Sequence, residues 1–251
     1  MRGLTLIELM TALLIFSFVA AGAMKFLMLQ MEWYSRARGI AEAQQESRIA
    51  MDTVVRELGL LGFGVPPEEP RLIKAELQEV EFLANLDHEF TRLISAEGAG
   101  ARVLSVDGSR FRPGRDFEAG RTVSLCSSER CEWHILAGDA TFSAMEMSEP
   151  IGGVFPAGST VHGINRVRFA LRPEGSGRFR LIRTKDGGAN AVAEALTLFE
   201  LSYFDREGRV SADKSDIRRV QIRMEAPAGP SGGLSRGMES SIWLRNSKEE
   251  T

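Results

Sequence analysis

Hydrophobic and polar residues are distributed differently at the start of this 251-residue chain than in the rest of it. Residues 4–24 carry a single charge, Glu8, and are bounded by Arg2 and Lys25. A helix of that length spans roughly 30 Å, which is the thickness of the hydrocarbon core of a bilayer. The segment is therefore predicted to be a membrane-spanning helix.

A secretory signal peptide is an alternative interpretation of the same segment. Such a peptide has a basic start, a shorter apolar core and a small-residue cleavage site, which the residues at 20–23 resemble. However, only Arg2 precedes the apolar run, and a carboxylate lies near its start. These two features favour a helix that is retained in the mature protein.

The pattern becomes amphipathic after Lys25, where apolar residues recur at steps of three and four and so share one face of a helix. Glycines and prolines crowd residues 59–70 and stop the pattern. One helix is therefore predicted from about residue 5 to 60. Its second half, 26–60, should pack on the following domain, with Glu57 pointing away. The apolar stripe consists of Trp33, Ala37, Ile40, Met51, Val55 and Leu58.

The rest of the chain, residues 66–251, is predicted to form a β-rich globular domain, with irregular or short helical structure at 71–94. Its clearest signal is a hairpin in which Asn165–Leu171 and Arg178–Thr184 flank a glycine-containing turn. The predicted fold class is α+β, a long N-terminal α-helix packed on an antiparallel β-sheet. Further strands are predicted at Ala101–Val106, Arg121–Leu125, Glu132–Leu136, Leu196–Phe204, Ile217–Glu225 and Ser241–Leu244.

Overall charge and composition exclude some functions. The net charge is −3 and the pI about 5.8, so no nucleic-acid partner is expected. The glycines at 59–64 follow a helix instead of a strand, so they lack the context of a nucleotide-binding loop. No grouping of catalytic residues is recognisable, and neither an enzymatic activity nor a cofactor is expected.

Glu8 is the unusual residue of the membrane segment. A carboxylate in a bilayer costs about 2.5–3.5 kcal/mol even on lenient insertion scales, so it needs a partner or a purpose. It could simply cap the positive end of the helix. Alternatively, cleavage between Gly3 and Leu4 would create an amine, in the same chain or a neighbouring one, that could pair with Glu8.

The stretch from Gly3 to Met10, GLTLIELM, resembles the cleavage and methylation motif of type IV prepilins. The resemblance implies that a prepilin peptidase cuts after Gly3 and methylates the new N-terminus at Leu4. It also implies that Glu8, the fifth mature residue, pairs with the N-terminus of a neighbouring subunit. Two features depart from the family: Leu4 stands where phenylalanine is usual, and residues 4–60 lack the proline of many major pilins.

The C-terminal part carries a weaker resemblance, to minor pilins of the PilW type and to the J-type minor pseudopilins of type II secretion systems. It rests on residues 192–203, 219–223 and 242–246. The two resemblances together imply a type IV pilin-like fold, with a leader at 1–3 and a membrane or filament-core half-helix at 4–25. The implied function is that of a minor pilin in a priming or tip complex.

The same resemblance implies partners and a location. The expected partners are other minor pilins, the major pilin, the prepilin peptidase, the inner-membrane assembly platform and, where the filament carries one, a tip adhesin. The protein should cross the inner membrane once, with its domain in the periplasm, and later stand near the pilus tip.

Two alternatives remain at this point. A J-type pseudopilin would use the same helix in a secretion system, whereas Glu8 argues against the K-type tip pseudopilin. A plain membrane-anchored periplasmic binding or enzymatic domain would need no cut after Gly3 and no role for Glu8.

The polar residues of the domain suggest little chemistry. Cys126 and Cys131 lie five residues apart in a domain that is predicted to be translocated across the inner membrane, into a compartment where disulfides form. We therefore expect a local disulfide, with two free thiols as the alternative. No zinc site is expected, because His134 is the only nearby histidine. His88 and His162 show no metal-binding spacing. An acidic loop at 205–216 is predicted to be solvated, with calcium as the alternative, and its acids are Asp205, Glu207, Asp213 and Asp216.

Overall fold

A long helix, α1, opens the fold and runs from Leu6 to Leu58, close to the predicted span of 5–60. The structure is a computed structural model that describes residues 6–66, 68–175, 177–227 and 235–245. At about 1.5 Å per residue, the 53 residues of α1 reach roughly 80 Å. Just beyond the helix, Gly62 and Gly64 adopt φ values of 77° and 75°, a conformation that favours glycine and stops the helix.

Thirteen strands follow α1 in the described part of the chain, and all of their pairings are antiparallel. The α+β prediction is therefore confirmed. The strands are β1 (Leu72–Glu76), β2 (Glu79–Ala84), β3 (Phe90–Arg92), β4 (Val103–Ser105), β5 (Thr122–Cys126), β6 (Cys131–Ile135), β7 (Ala144–Glu146), β8 (Thr160–Gly175), β9 (Arg178–Lys185), β10 (Gly188–Leu196), β11 (Leu198–Phe204), β12 (Arg219–Pro227) and β13 (Ser235–Trp243).

The 16-residue strand β8 organises the largest sheet. Its first half pairs with β3 and β5, and from Asn165 onward its neighbours are β2 and β9. Strands β1, β6 and β10 extend this sheet outward from β2, β5 and β9. A second sheet has the order β11-β12-β13, and β4 pairs with β7 in a third.

The predicted β8–β9 hairpin is confirmed, and both of its strands are longer than predicted. The other predicted strands also form, each shifted by a few residues. Five strands were not predicted: β1, β2, β3, β7 and β10. β10 has no period-two pattern of large apolar residues, because its sequence, GANAVAEAL, is rich in alanine.

The prediction for residues 71–94 is wrong, because the segment forms β1, β2 and β3. Apolar residues spaced about three apart favoured a helix, but Leu77 lies in the turn between β1 and β2 and is exposed. The alternating residues Val80, Phe82 and Ala84 are buried instead. Pairing of β2 with β8 selects the period-two pattern over the period-three one.

The predicted stripe of α1 is partly wrong. Trp33 and Ala37 are exposed, and the helix buries residues only from Ser47 onward. Glu57, expected to point away, is buried. The face that packs on β10, β12 and β13 is thus rotated from the predicted one and confined to the last three turns. Its buried residues are Ser47, Ala50, Met51, Val54, Glu57 and Leu58.

Buried apolar residues form two separate clusters. The first lies between α1 and the sheets and includes Val54, Phe169 and Phe199. The second lies beneath β4, β5 and β7, contains Leu125 and Phe155, and receives no residue from the helix. The domain therefore has a lobe next to the helix and a second lobe held together by its own strands and loops.

Candidate assembly site

Glu8 lies in the first turn of the described helix, and its side chain is exposed. Gly3 and Leu4, the predicted cleavage and methylation sites, lie outside the described residues. The hydroxyl of Thr11 donates to the carbonyl oxygens of Ile7 and Glu8, at 2.9 and 3.0 Å. Glu8 therefore lies on the outside of α1, at the start of its apolar half.

The helix surface that follows Glu8 is apolar and uncovered by the rest of the described chain. Ile15, Phe16 and Phe18 are between 63% and 73% exposed. Lys25 is the only charged residue between Glu8 and Glu32. By length and composition α1 could cross a membrane, and it is the one described helix of which this is true.

The other end of α1 is joined to the domain by packing and by one ion pair. Val54 and Leu58 are fully buried. The carboxylate of Glu57 accepts a hydrogen bond from Nε of Arg183 on β9, at 2.8 Å. Gly59 follows immediately and packs against the side chain of Ile242, where a β-carbon would approach to 3.2 Å. These contacts fix the direction in which the helix leaves the domain.

Cys126 and Cys131 form a disulfide, as predicted, and close the turn of the β5–β6 hairpin with a Cα–Cα distance of 4.1 Å. Next to it, the carboxylate of Glu132 accepts a hydrogen bond from the backbone N–H of Gly152 at 2.8 Å. The same oxygen lies 3.2 Å from Nε2 of His134. The hairpin thus supports a neighbouring loop of the second lobe, which is a structural role.

The acidic loop is held by its own contacts. Arg209 donates to Asp205 from its backbone N–H and its Nε, both at 2.8 Å, and also pairs with Glu207. Asp213 accepts bonds from the backbone and hydroxyl of Ser215 at 2.9 and 2.8 Å, and these lower the pKa of Asp213. Among the residues described, no group of three or more acids, histidines or cysteines could hold a metal ion.

A cluster of charged residues that the sequence did not indicate lies where β8 changes partners. Arg121, immediately before β5, pairs with Asp87 at 2.8 Å and with Asp186, in the β9–β10 turn, at 3.1 Å. The buried amide of Asn165 donates to both carboxylates. Burial would raise the pKa of Asp87, but hydrogen bonds from Lys185, Arg121 and Asn165 outweigh it and lower the pKa to about 2.

This cluster joins four segments that are far apart in the chain, so no local motif could have revealed it. The one available signal was the Asp186-Gly187 pair, which is typical of a tight hairpin turn. A cavity of about 460 Å³ adjoins the cluster and is lined by Arg121, Trp133 and Asp186. Both charged residues are already paired with one another, which indicates a structural role for this region.

The three histidines pack against aromatic or acidic side chains. His162 is stacked against Phe90 and meets the ring of Phe63 edge-on, and burial lowers its pKa. His88 also contacts Phe63, whereas His134 lies beside Glu132 in the second lobe. These contacts are those of packed side chains.

Comparison with known proteins places the N-terminal residues in a family. The model of the prokaryotic N-terminal methylation motif matches residues 1–24. The match indicates a type IV pilin-like prepilin. No curated protein matches the chain.

For a type IV pilin-like prepilin, the motif implies processing by a prepilin peptidase and assembly with other pilins. The apolar helix and the motif fit a pilin anchored in the inner membrane. Its α+β architecture and its disulfide agree with that assignment. Type IV pilin-like proteins are a structural family, generally without enzymatic activity.

Proposed function

We propose that this protein is a minor pilin of a type IV pilus, a structural subunit of a priming or tip complex that starts pilus assembly. The observation that carries the proposal is the first half of α1, which begins within the methylation motif, contains Glu8 in its first turn and exposes its apolar side chains. Such a surface needs an apolar environment from outside the chain. A bilayer supplies it first, and a bundle of similar helices supplies it after assembly.

The proposed roles of the residues follow from this. The peptidase cuts between Gly3 and Leu4 and methylates the amine of Leu4. Glu8 then pairs with the N-terminal amine of a neighbouring subunit. Such an ion pair offsets the free-energy cost of burying a carboxylate in an apolar helix bundle. It would therefore favour neighbouring subunits whose helices are aligned so that Glu8 meets the N-terminal amine.

Two observations favour a minor subunit over the bulk component of the filament. The described part of α1 is one uninterrupted helix without proline. The domain also carries the second lobe, which receives no residue from α1 and so enlarges the subunit without stabilising the helix. The proposed organisation is a leader at 1–3, a filament-core half-helix at 4–25, an amphipathic half at 26–60 and a periplasmic domain at 66–251.

Mass spectrometry of the protein extracted from membranes tests the processing step. The expected N-terminus is a methylated Leu4. An intact, unmodified Met1 would contradict the proposal and favour a plain membrane-anchored domain.

Deletion of the gene tests the role in pilus assembly, and it should reduce the number of surface pili. Loss of protein secretion with normal pili would instead assign the protein to a type II secretion system as a J-type pseudopilin.

The variant Glu8→Ala tests the pairing. It should insert into the membrane normally but recover fewer partner pilins on purification. Glu32→Ala is the matched control, because Glu32 is an exposed acid of the same helix that pairs with Arg36. Equal recovery of partners by the Glu8 variant and the wild type would contradict the role of Glu8.

A further inference from the structure

A row of four side chains crosses one face of the second sheet. The strand register places Phe204 of β11, Arg219 of β12 and Trp243 of β13 opposite one another. An isolated bridge adds Val210 on the other side of Phe204. Residues directly opposite each other in antiparallel strands point to the same face of the sheet, and strands are about 4.8 Å apart, so the row is roughly 14 Å long. These four residues are called the distal row below.

The distal row faces outward and is mostly apolar. The adjacent residues Tyr203 and Val220 point to the opposite face of the sheet and are buried in the first core cluster. In contrast, Val210 is 79% exposed and Trp243 is 58% exposed. Grouped apolar side chains on a surface mark an interaction site, and tryptophan and arginine are among the residue types that dominate the energy of protein interfaces.

Arg219 is held in the middle of the row by the two aromatic rings. Its guanidinium carbon lies 4.2 Å from the ring centre of Phe204 and 5.9 Å from that of Trp243. Arg219 is partly exposed, and within the described residues it forms no ion pair, whereas Arg223 on the same strand pairs with Glu225. A guanidinium that stacks on rings through its faces keeps N–H groups for a carboxylate. Because the rings already restrict the side chain, little conformational entropy is lost when a partner binds.

The height of the distal row above the membrane limits the kind of partner. Ile242, next to Trp243, points inward and meets Gly59 at the end of α1, where a β-carbon would lie 3.2 Å from the side chain of Ile242. From Met24, at the end of the predicted membrane segment, the helix rises roughly 50 Å to Gly59. Lipid headgroups around α1 therefore do not reach the row, and neither does a helix that pairs with Glu8.

We propose that the distal row binds the globular domain of another pilin subunit, through an acidic side chain with apolar neighbours. The carboxylate would pair with Arg219, and its apolar neighbours would cover Trp243 and Val210. The same row of a second copy of this chain does not fit, because two Arg219 side chains would face each other. The proposal rests on the proposed function and adds a contact between domains to the contact between helices at Glu8.

Photo-crosslinking in cells that assemble pili tests this contact. The full chain carries a photo-crosslinking amino acid in place of Val210. The matched control carries it in place of Val154, an exposed valine of the second lobe. We expect position 210 to crosslink to the globular domain of a second protein that has a methylation motif, at a segment with an acidic residue between apolar ones. Position 154 should give no such product.

Substitutions in the row measure its contribution. Trp243→Ala and Arg219→Gln each remove a residue of the kind that costs about thirtyfold in affinity at the centre of an interface, so each should bring the crosslink from position 210 near background. The matched control Arg223→Gln, on the same face of the sheet, should leave it unchanged. Urea unfolding of each variant shows whether the domain is intact. Arg219→Lys, which keeps the charge, should retain more of the crosslink than Arg219→Gln.

Several outcomes would overturn the proposal. They are a crosslink at position 210 no stronger than at position 154, one that reaches only this chain itself, lipid or a protein without a methylation motif, and one that persists in both Trp243→Ala and Arg219→Gln. The N-terminus of the same sample separates this result from the proposed function. A methylated Leu4 without the crosslink refutes the distal row alone, whereas an unprocessed Met1 refutes the proposed function.

Discussion

The two ends of α1 follow opposite rules. The segment before Glu32 is the more apolar one, yet its large side chains are exposed. The segment from Ser47 to Leu58 contains charged residues on its outer face, yet it buries an apolar face and even Glu57. Hydrophobicity alone therefore does not determine which part of a helix packs against the domain of its own chain. The surface that the chain leaves uncovered is the one to which the proposed function assigns contacts with lipid and with other helices.

The first way to break this comparison is to place a charge in each segment. Val54→Asp should destabilise the domain by about 4 kcal/mol, because Val54 is fully buried and the new carboxylate has no partner. Urea unfolding of the full chain in detergent, monitored by circular dichroism, measures this change in the free energy of unfolding.

The matched control is Val19→Asp, in the exposed segment, where Val19 is 64% exposed. It should leave the unfolding of the domain within about 0.5 kcal/mol of the wild type but reduce membrane insertion. Equal destabilisation by the two variants would mean that the exposed segment also contributes to the core.

The second test compares two acids on the same helix. Glu57→Ala should cost about 3 kcal/mol of domain stability, since it leaves the largely buried Arg183 without its partner. Glu42→Ala removes an exposed pair with Arg38 and should cost no more than about 0.5 kcal/mol. Chemical denaturation of both variants gives the two values. Similar small losses would show that Glu57 does not fasten the helix to β9.

The third test asks whether the second lobe is independent of α1. Replacing Cys126 and Cys131 by serine should cost about 2 kcal/mol, because the disulfide closes only a short loop. Hydrogen exchange should accelerate in β5 and β6 and stay unchanged in the last turns of α1. The double variant should also be insensitive to reductant. Faster exchange throughout α1 would contradict the division into two lobes.

The smallest expected effect concerns the charged cluster. The pKa of Asp87 is lowered to about 2 from its usual 3.8, so its contribution to stability is complete above its unfolded pKa and is lost as the pH falls from about 4 to about 2. Burial raises the pKa of the neighbouring Glu89, so Glu89 takes up its proton at higher pH and does not offset the loss in this window. The net loss should be about 1 kcal/mol.

Thermal unfolding between pH 5 and pH 2 measures the effect, using roughly one-unit pH steps. Asp87→Asn should flatten the pH profile in that window. A variant profile as steep as that of the wild type would show that other carboxylates carry the acid sensitivity.

Much of the fold could be predicted because its signals are local. The apolar run, the glycines that end α1 and the β8–β9 hairpin each depend on residues close in sequence. The prediction for residues 71–94 was wrong because two hydrophobic periodicities compete there, and only the pairing of β2 with β8 decides between them. The cluster around Arg121 was equally inaccessible, since its members come from separate strands and turns.

The sequence by itself determined the membrane segment, the methylation motif with Glu8 and the short disulfide loop, because each rests on residue spacing within a few helical turns or one hairpin. Tertiary structure alone decided which face of α1 is buried and where β8 exchanges neighbours. The buried face of α1 depends on contacts across 126 and 148 residues, and β8 meets β2 across roughly eighty to ninety. The spacing of residues along the sequence does not specify such long-range contacts, because tertiary packing selects among the possible arrangements.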